Sequence, residues 1–321
     1  MNYQEALPLI TKKIAEISYP KQPKELYEPM IYLLSMKGKR IRPIFTLMAC
    51  RLFQENIKCA IDVALAWEIF HNFTLMHDDI IDNAFLRRGQ STVHTKWNKT
   101  IALLAGDSML ILAYKYIAKS PLQYRDILLH LFSSIAAKVC EGQAYDMLLE
   151  NRLDVRKKEY LELVRLKTAT LLSACLYSGA IVGGASGQDA KFLQDFGINL
   201  GIAFQIQDDM LDVYGNSSFG KEIGSDIFSN RRTYLLINAL NICDEMERKE
   251  LLFWLNEKEQ KEEKITAIIS LYDKMEIKKK TCRTIESYYR RALFSLKKVN
   301  VEEEKKVDLV ELTKELMNRT S

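Results

Sequence analysis

Apolar positions recur at helical spacing along almost the whole chain, and this pattern predicts one helix after another. Residues 1–30 read as a short amphipathic helix and a proline-containing turn. An apolar run follows from Pro43 through Phe53, and a long helix is expected over 57–82. A polar loop over 83–98 separates it from helices at about 99–118, 122–150, 157–182 and 189–214. A loop over 215–233, rich in Gly, Ser and Asn, precedes a charged helical region over about 234–321. No run shows the Val/Ile/Thr alternation of strands. Thr168 to Gln188 contains no charged residue, which suits a buried central helix and is also compatible with a membrane span.

Composition strengthens the helical reading. The chain has 321 residues and is 48% hydrophobic, enough for a large core in one or two domains. Glycine (13) and proline (6) are scarce, and no proline follows Pro121. The expected fold class is therefore all-α. The net charge of +4 comes from mixed signs without a basic stripe interleaved with aromatics, so no nucleic-acid partner is expected. The six cysteines form no CxxC pair and sit in apolar helical surroundings, as in a reducing, cytoplasmic setting. Glu5 and Pro8 interrupt any apolar run at the N-terminus, so no signal peptide is expected; with 168–188 read as a buried helix, no transmembrane segment is expected either.

The chemistry lies in two matching acidic stretches. Asp78-Asp79-Ile80-Ile81-Asp82 and Asp208-Asp209-Met210-Leu211-Asp212 both read Asp-Asp-x-x-Asp, and each ends an apolar helical run. On a helix the first and fifth positions stack, with the second about 100° round. Two unit charges 4 Å apart repel by about 1 kcal/mol in water and about 4 kcal/mol at an effective dielectric of 20. A lone copy is equally well a solvated helix end; two copies favour divalent cations. Oxygen-only ligands point to magnesium, which bridges carboxylates to substrate phosphates.

Basic residues flank both stretches. Lys37, Lys39, Arg40 and Arg42 crowd a helix start marked by Pro43, an anion site or a solvated turn. His71 lies two turns before Asp78 on nearly the same face, suited to a diphosphate contact or to the core. Arg87 and Arg88 can present guanidinium forks to phosphate, and the loop carrying Lys221, Asp226, Arg231 and Arg232 fits a lid over phosphates.

Together these residues resemble the trans-isoprenyl diphosphate synthase (polyprenyl synthetase) family, short-chain type. The likeness runs from about residue 36 to about 240. It comprises GKRIRP, HDDIID followed by RRG and His94, Gly106-Asp107, Gly142-Gln143 with Asp146, Lys167-Thr168, FQIQDDMLD, and GKEIGSD with Thr233. The resemblance implies a single-domain helical bundle over 1–321 around a deep central cavity, with about 241–321 as an outer layer, and usually a homodimer. It implies that Asp78, Asp82 and Asp208 bind magnesium, supported by Asp79, Asp209 and Asp212. Lys39, Arg42, His71 and Arg88 would bind isopentenyl diphosphate. Arg87, Lys167, Thr168, Gln205 and Lys221 would hold the allylic diphosphate, with Arg231 in place of a frequent lysine. The implied reaction ionises the allylic diphosphate, and the isopentenyl double bond attacks the cation before a proton is lost. Two further departures are Lys37 for a glycine before Gly38, and Asn230 for a frequent glycine.

In this family the residues four and five before the first motif, here Thr74 and Phe73, help set the cavity floor. Phe70 and Trp67 lie deeper: five residues down a helix is about 7.5 Å and eleven about 16 Å. An aromatic at Phe73, a small residue at Thr74 and no insertion resemble geranylgeranyl diphosphate synthases. Phe73 lies about 140° round from Asp78, whereas Trp67 is nearly beneath it, so either is the floor; Phe70 and Phe73 read equally well as plain core. Competing expectations are a farnesyl (fifteen-carbon) synthase, a class I terpene cyclase, a non-catalytic partner subunit of a heteromeric synthase, and a purely structural helical protein.

Overall fold

A computed structural model describes residues 1–150, 152–215 and 223–318. Its helices are α1 (Tyr3–Ala15), α2 (Lys24–Ser35), α3 (Ile41–Arg51), α4 (Lys58–Ile81), α5 (Val93–Lys96), α6 (Lys99–Ile117), α7 (Arg125–Glu150) and α8 (Lys157–Val164). They continue with α9 (Thr170–Val182), α10 (Gly187–Tyr214), α11 (Ser225–Phe228), α12 (Tyr234–Ile242), α13 (Glu245–Asn256), α14 (Lys261–Lys274), α15 (Ile277–Lys297) and α16 (Glu303–Met317). The fold is all-α, as the periodicity indicates. Besides α11, which lies in the expected 215–233 loop, three local features depart from the expected elements. Residues 1–30 hold α1 and the start of α2 rather than one helix, because Pro29 is accommodated in the second turn of α2. The 83–98 loop contains a hairpin, β1 (Leu86–Arg87) with β2 (Gln90–Ser91), and then α5. The expected 157–182 helix is interrupted by a π-helical turn, Arg165–Ala169.

The chain divides into two compact units. The first comprises 1–135, 174–194 and 298–312. Its centre is α4, buried almost all round from Val63 to Phe70, and packed against α3 and α6. The face of α6 turned to α4 carries Ala102, Ala105, Gly106, Met109 and Ala113, small or flexible residues that allow close approach. The uncharged stretch expected to be central or membrane-spanning supplies α9. Its Ala174, Cys175, Leu176, Ser178 and Ala180 are buried, as an all-round apolar helix at a core requires. Among the described residues one helix, α6, is long and apolar enough to cross a membrane by length and composition, and a third of that stretch is buried.

The second unit comprises 136–173, 195–297 and 313–321. Its core gathers Tyr160, Leu163 and Val164 of α8, Ile202 and Ile206 of α10, Tyr234 to Leu240 of α12, and Leu251, Ile268 and Tyr272 of α13 and α14. The charged α15 lays Ile277, Thr281, Ala292 and Leu296 on the inside.

Candidate active site

The first acidic stretch ends α4 in the first unit. Carboxylates are disfavoured at a helix C-terminus, where the dipole is negative, so this placement calls for cations. The helix sorts the three aspartates. Asp79 turns inward and is 2% exposed, whereas Asp78 is part-exposed and Asp82, which closes the helix, is exposed. Arg87 grips Asp79 with a fork: Nε donates to Oδ1 and Oδ2 at 2.8 Å, and Nη2 to Oδ1 at 2.6 Å. The same Nη2 is 3.9 Å from Asp78 Oδ2. Burial pushes the Asp79 carboxyl up, and Arg87 opposes that shift.

The hairpin aims both arginines. Arg88 (φ 53°) and Gly89 (φ 75°) lie between the strands, both with the positive φ of a tight two-residue turn. This swings the Arg88 guanidinium over Gly38, where a Cβ would come within 2.9 Å of Cζ. The glycine retained in the GKRIRP stretch thus leaves room for Arg88. Arg42 Nη1 donates to His71 Nε2 at 3.0 Å, which puts the ring proton on Nδ1. His71 is held well below its ordinary pKa by burial and by Arg42, Arg88, Arg87 and Arg40, in that order. It is therefore a neutral donor among cations. Lys39 is exposed, with its carbonyl accepting from Tyr3 Oη at 3.1 Å. Arg42, His71 and Arg88 are thus brought together, with Lys39 beside Gly38.

Arg40 belongs elsewhere. It is 7% exposed, and its Nη1 meets Glu68 Oε1 at 2.5 Å while Nη2 donates to the carbonyls of Leu34 and Met36 at 2.6 and 2.7 Å. It closes the C-terminus of α2 and neutralises a buried carboxylate. Glu68 itself escaped the sequence reading; an acidic residue inside the apolar run of α4 was the available signal.

Below the motif an aromatic stack descends α4. Phe73 is 9% exposed and its ring lies 4.8 Å from His77 and 5.6 Å from Phe70. Phe70 and Trp67 are fully buried against Phe132 at 5.3 and 5.0 Å, and Trp67 Nε1 donates to Ser178 Oγ at 2.8 Å. Thr74 Oγ1 donates back to the His71 carbonyl at 2.8 Å. Phe132 of α7, also 4.6 Å from Tyr114, is part of this stack, and nothing in the local sequence marks it.

The second acidic stretch lies on α10 in the second unit, and it is sorted the same way. Asp208 is exposed, whereas Asp209 and Asp212 are 6% and 9% exposed. Asp209 accepts from Tyr160 Oη, from the Tyr234 amide at 2.7 Å and from Gln205 Nε2 at 3.2 Å. The Tyr234 amide opens α12, capped by Thr233, so Asp209 faces the positive end of that helix. Burial nevertheless pushes its carboxyl up to about 7 against these three donors. Asp212 accepts from Ser225 Oγ at 2.7 Å and from the Asp226 amide at 3.0 Å, and so fixes the start of α11.

The π-helical turn presents Lys167 and Thr168. Lys167 Nζ pairs with Asp146 Oδ2 at 2.6 Å, and Thr168 Oγ1 donates to Gln205 Oε1 at 3.1 Å. Gln205 thereby links the turn to Asp209. Two glycines let helices press on this turn: a Cβ at Gly142 would lie 2.5 Å from the Lys167 nitrogen, and one at Gly201 2.6 Å from Ala169 Cα. A π-turn in mid-helix often marks a functional site. Arg231 is exposed at the end of the 223–231 segment, whereas Arg232 is engaged structurally with the carbonyls of Arg152 and Asn230 at 2.7 and 2.8 Å. Lys221 lies outside the described residues.

Among the described residues no group of three or more His, Cys, Asp or Glu could by itself hold a metal. Asp78 and Asp82 lie one turn apart at the end of α4, and Asp208 lies on α10; carboxylate oxygens are the kind of donor magnesium takes.

The polyprenyl synthetase family profile matches residues 23–272. A geranylgeranyl diphosphate synthase of Sulfolobus acidocaldarius is 36% identical over 281 residues, 86% of this chain and 85% of its own. A geranylfarnesyl diphosphate synthase of Natronomonas pharaonis is 35% identical, covering 73% of this chain and 74% of its own. The crystal structure of a geranylgeranyl pyrophosphate synthase superposes with a TM-score of 0.95 at 37% identity, over 100% of both chains. The chain belongs to the polyprenyl synthetase family.

Proposed function

We propose that this protein is a short-chain trans-prenyltransferase that condenses isopentenyl diphosphate with allylic diphosphates, ending at the twenty-carbon geranylgeranyl diphosphate. The observation that carries this reading is the sorting of six aspartates. Asp78, Asp82 and Asp208 keep exposure, whereas Asp79, Asp209 and Asp212 are buried. The first three would hold magnesium, which supplies charge to draw off the diphosphate leaving group. Lys167, Thr168, Gln205 and Arg231 bind that diphosphate from the second unit, together with Lys221. In the first unit Arg42, His71, Arg88 and Lys39 bind isopentenyl diphosphate. Neutral His71 contributes a hydrogen bond rather than a charge. Arg87 holds Asp79 and, through its reach to Asp78, screens the repulsion between neighbouring carboxylates. Its part in binding the allylic diphosphate is through the same guanidinium. No side-chain nucleophile is required: the isopentenyl double bond attacks the allylic cation, and the proton lost goes to the released diphosphate. The aromatic surfaces around Phe73 exclude water that would quench the cation.

The single-domain bundle with a deep cavity, the homodimer and a cytoplasmic setting belong to the same reading. An apolar row on α6, with Leu103, Leu104 and Ile111 each about half exposed, suits a second copy of the chain. All six cysteines are free thiols, which suits a reducing compartment. A non-catalytic partner subunit would be expected to lack an acidic motif or Arg87-Arg88, and this chain has them all.

Chain length is assigned to Phe73, backed by Phe70, Trp67 and Phe132. Phe73 alone of the α4 aromatics keeps measurable exposure, at 9%. Phe73→Ala is expected to shift the main product by at least one five-carbon unit, read by chromatography after dephosphorylation. An unchanged product from an active variant would move the floor down to Phe70 or Trp67. A fifteen-carbon stop in the unaltered protein would make it a farnesyl diphosphate synthase, and a twenty-five-carbon product would align it with the Natronomonas relative.

A further inference from the structure

The 223–233 segment is pinned at both ends by the second acidic stretch. At its start Asp212 takes the Ser225 hydroxyl and the Asp226 amide, and its carbonyl takes the Gly224 amide at 2.7 Å. At its end Thr233 caps α12, whose first amide meets Asp209. Between these anchors lies Arg231, whose amide donates to the Asp226 carbonyl at 2.9 Å and whose carbonyl accepts from the Thr233 amide at 2.8 Å.

The middle is held by a buried ammonium. Lys264 of α14 is 1% exposed, and its Nζ donates to Asn230 Oδ1 at 2.8 Å, to the Glu257 carbonyl at 3.0 Å and to the Phe228 carbonyl at 3.3 Å. These three acceptors use all three of its protons. Asn230, at φ 57°, donates its own Nδ2 to the Leu255 carbonyl at 2.7 Å. The two side chains therefore tie the end of α11 to the end of α13 and to α14. Burying an ammonium on neutral acceptors is costly compared with packing an apolar side chain there. Glycine would also take the backbone of position 230 with less strain than asparagine. Both side chains fix the residue immediately before Arg231.

We infer that Lys264 and Asn230 are positioning residues that set the place of Arg231 for the allylic diphosphate. The inference rests on the proposed prenyl-transfer activity. It also accounts for Asn230 standing where a glycine is frequent: its side chain is the joint that Lys264 holds.

Steady-state kinetics of Asn230→Gly and Lys264→Met with farnesyl diphosphate, isopentenyl diphosphate and magnesium test it. Asn230→Gly keeps the left-handed backbone and is the variant expected to fold normally. Each variant should raise KM for farnesyl diphosphate about tenfold, a loss of about 1.4 kcal/mol. KM for isopentenyl diphosphate should stay within about twofold, and the double variant should cost little more than either single one, because both break the same joint. A merely structural role would lower the melting temperature and leave the farnesyl diphosphate KM unchanged, or move both KM values together; either result overturns the inference. Absence of turnover in the unaltered protein would overturn the proposed activity instead, whereas normal turnover in it with normal KM values in Asn230→Gly would overturn this inference alone.

Discussion

Alanine at Asp78 or Asp208 is expected to lower turnover by about a thousandfold or more, while the melting temperature without magnesium stays level or rises slightly. Catalysis of this kind rests on charge placed at the leaving group, and losing one such contact commonly costs about a hundred- to a thousandfold in rate. Stability behaves differently because Asp208 is exposed and Asp78 part-exposed beside Asp79, a like charge that Arg87 already offsets with its fork. Asp209→Ala should give the opposite signature. It strips the acceptor from Tyr160 Oη and from the Tyr234 amide, and each buried donor left without a partner costs about 1–3 kcal/mol. Thermal melts and single-turnover rates on the three variants separate the roles. Full activity in Asp78→Ala or Asp208→Ala would remove them from the metal site. Equal loss of stability in all three would dissolve the distinction between exposed and buried carboxylates.

Arg40→Met is expected to destabilise the fold by about 3–5 kcal/mol, since it leaves Glu68 as an uncompensated buried charge. The carbonyls of Leu34 and Met36 lose their donor as well. Adding Glu68→Met should recover much of the loss, because an apolar pair of similar volume replaces a buried ion pair at little cost. Chemical denaturation of the single and double variants reads both effects. A normal melting temperature with a large rise in KM for isopentenyl diphosphate would instead return Arg40 to the anion-binding residues.

Arg40 shows where sequence reasoning stops. It lies two residues from Arg42 in one basic run, and only the fold sends one guanidinium to Glu68 and the other to His71. The order and extent of the long helices were legible because a 3.6-residue period survives over four or more turns, as in α4 and α10. The hairpin was not, because two-residue strands carry no period, and its turn relies on positive φ at Arg88, a residue type that does not announce it. The π-helical turn was hidden for a related reason: one extra residue barely disturbs an apolar pattern, and the glycines that approach it closely, Gly142 and Gly201, lie on distant stretches of chain. The six aspartates were legible as a set from their spacing. Their division into exposed and buried depends on which side of α4 and α10 is packed, and on partners such as Tyr160 and Arg87. Phe132 joins the aromatic stack only through the path of α7, which no local motif records.

The most direct measurement is elongation by the purified protein, with and without magnesium, of five-, ten- and fifteen-carbon allylic diphosphates supplied separately with isopentenyl diphosphate. The account requires magnesium-dependent growth of the prenyl chain and accumulation of a twenty-carbon product. No elongation from any of the three primers with magnesium present would contradict it.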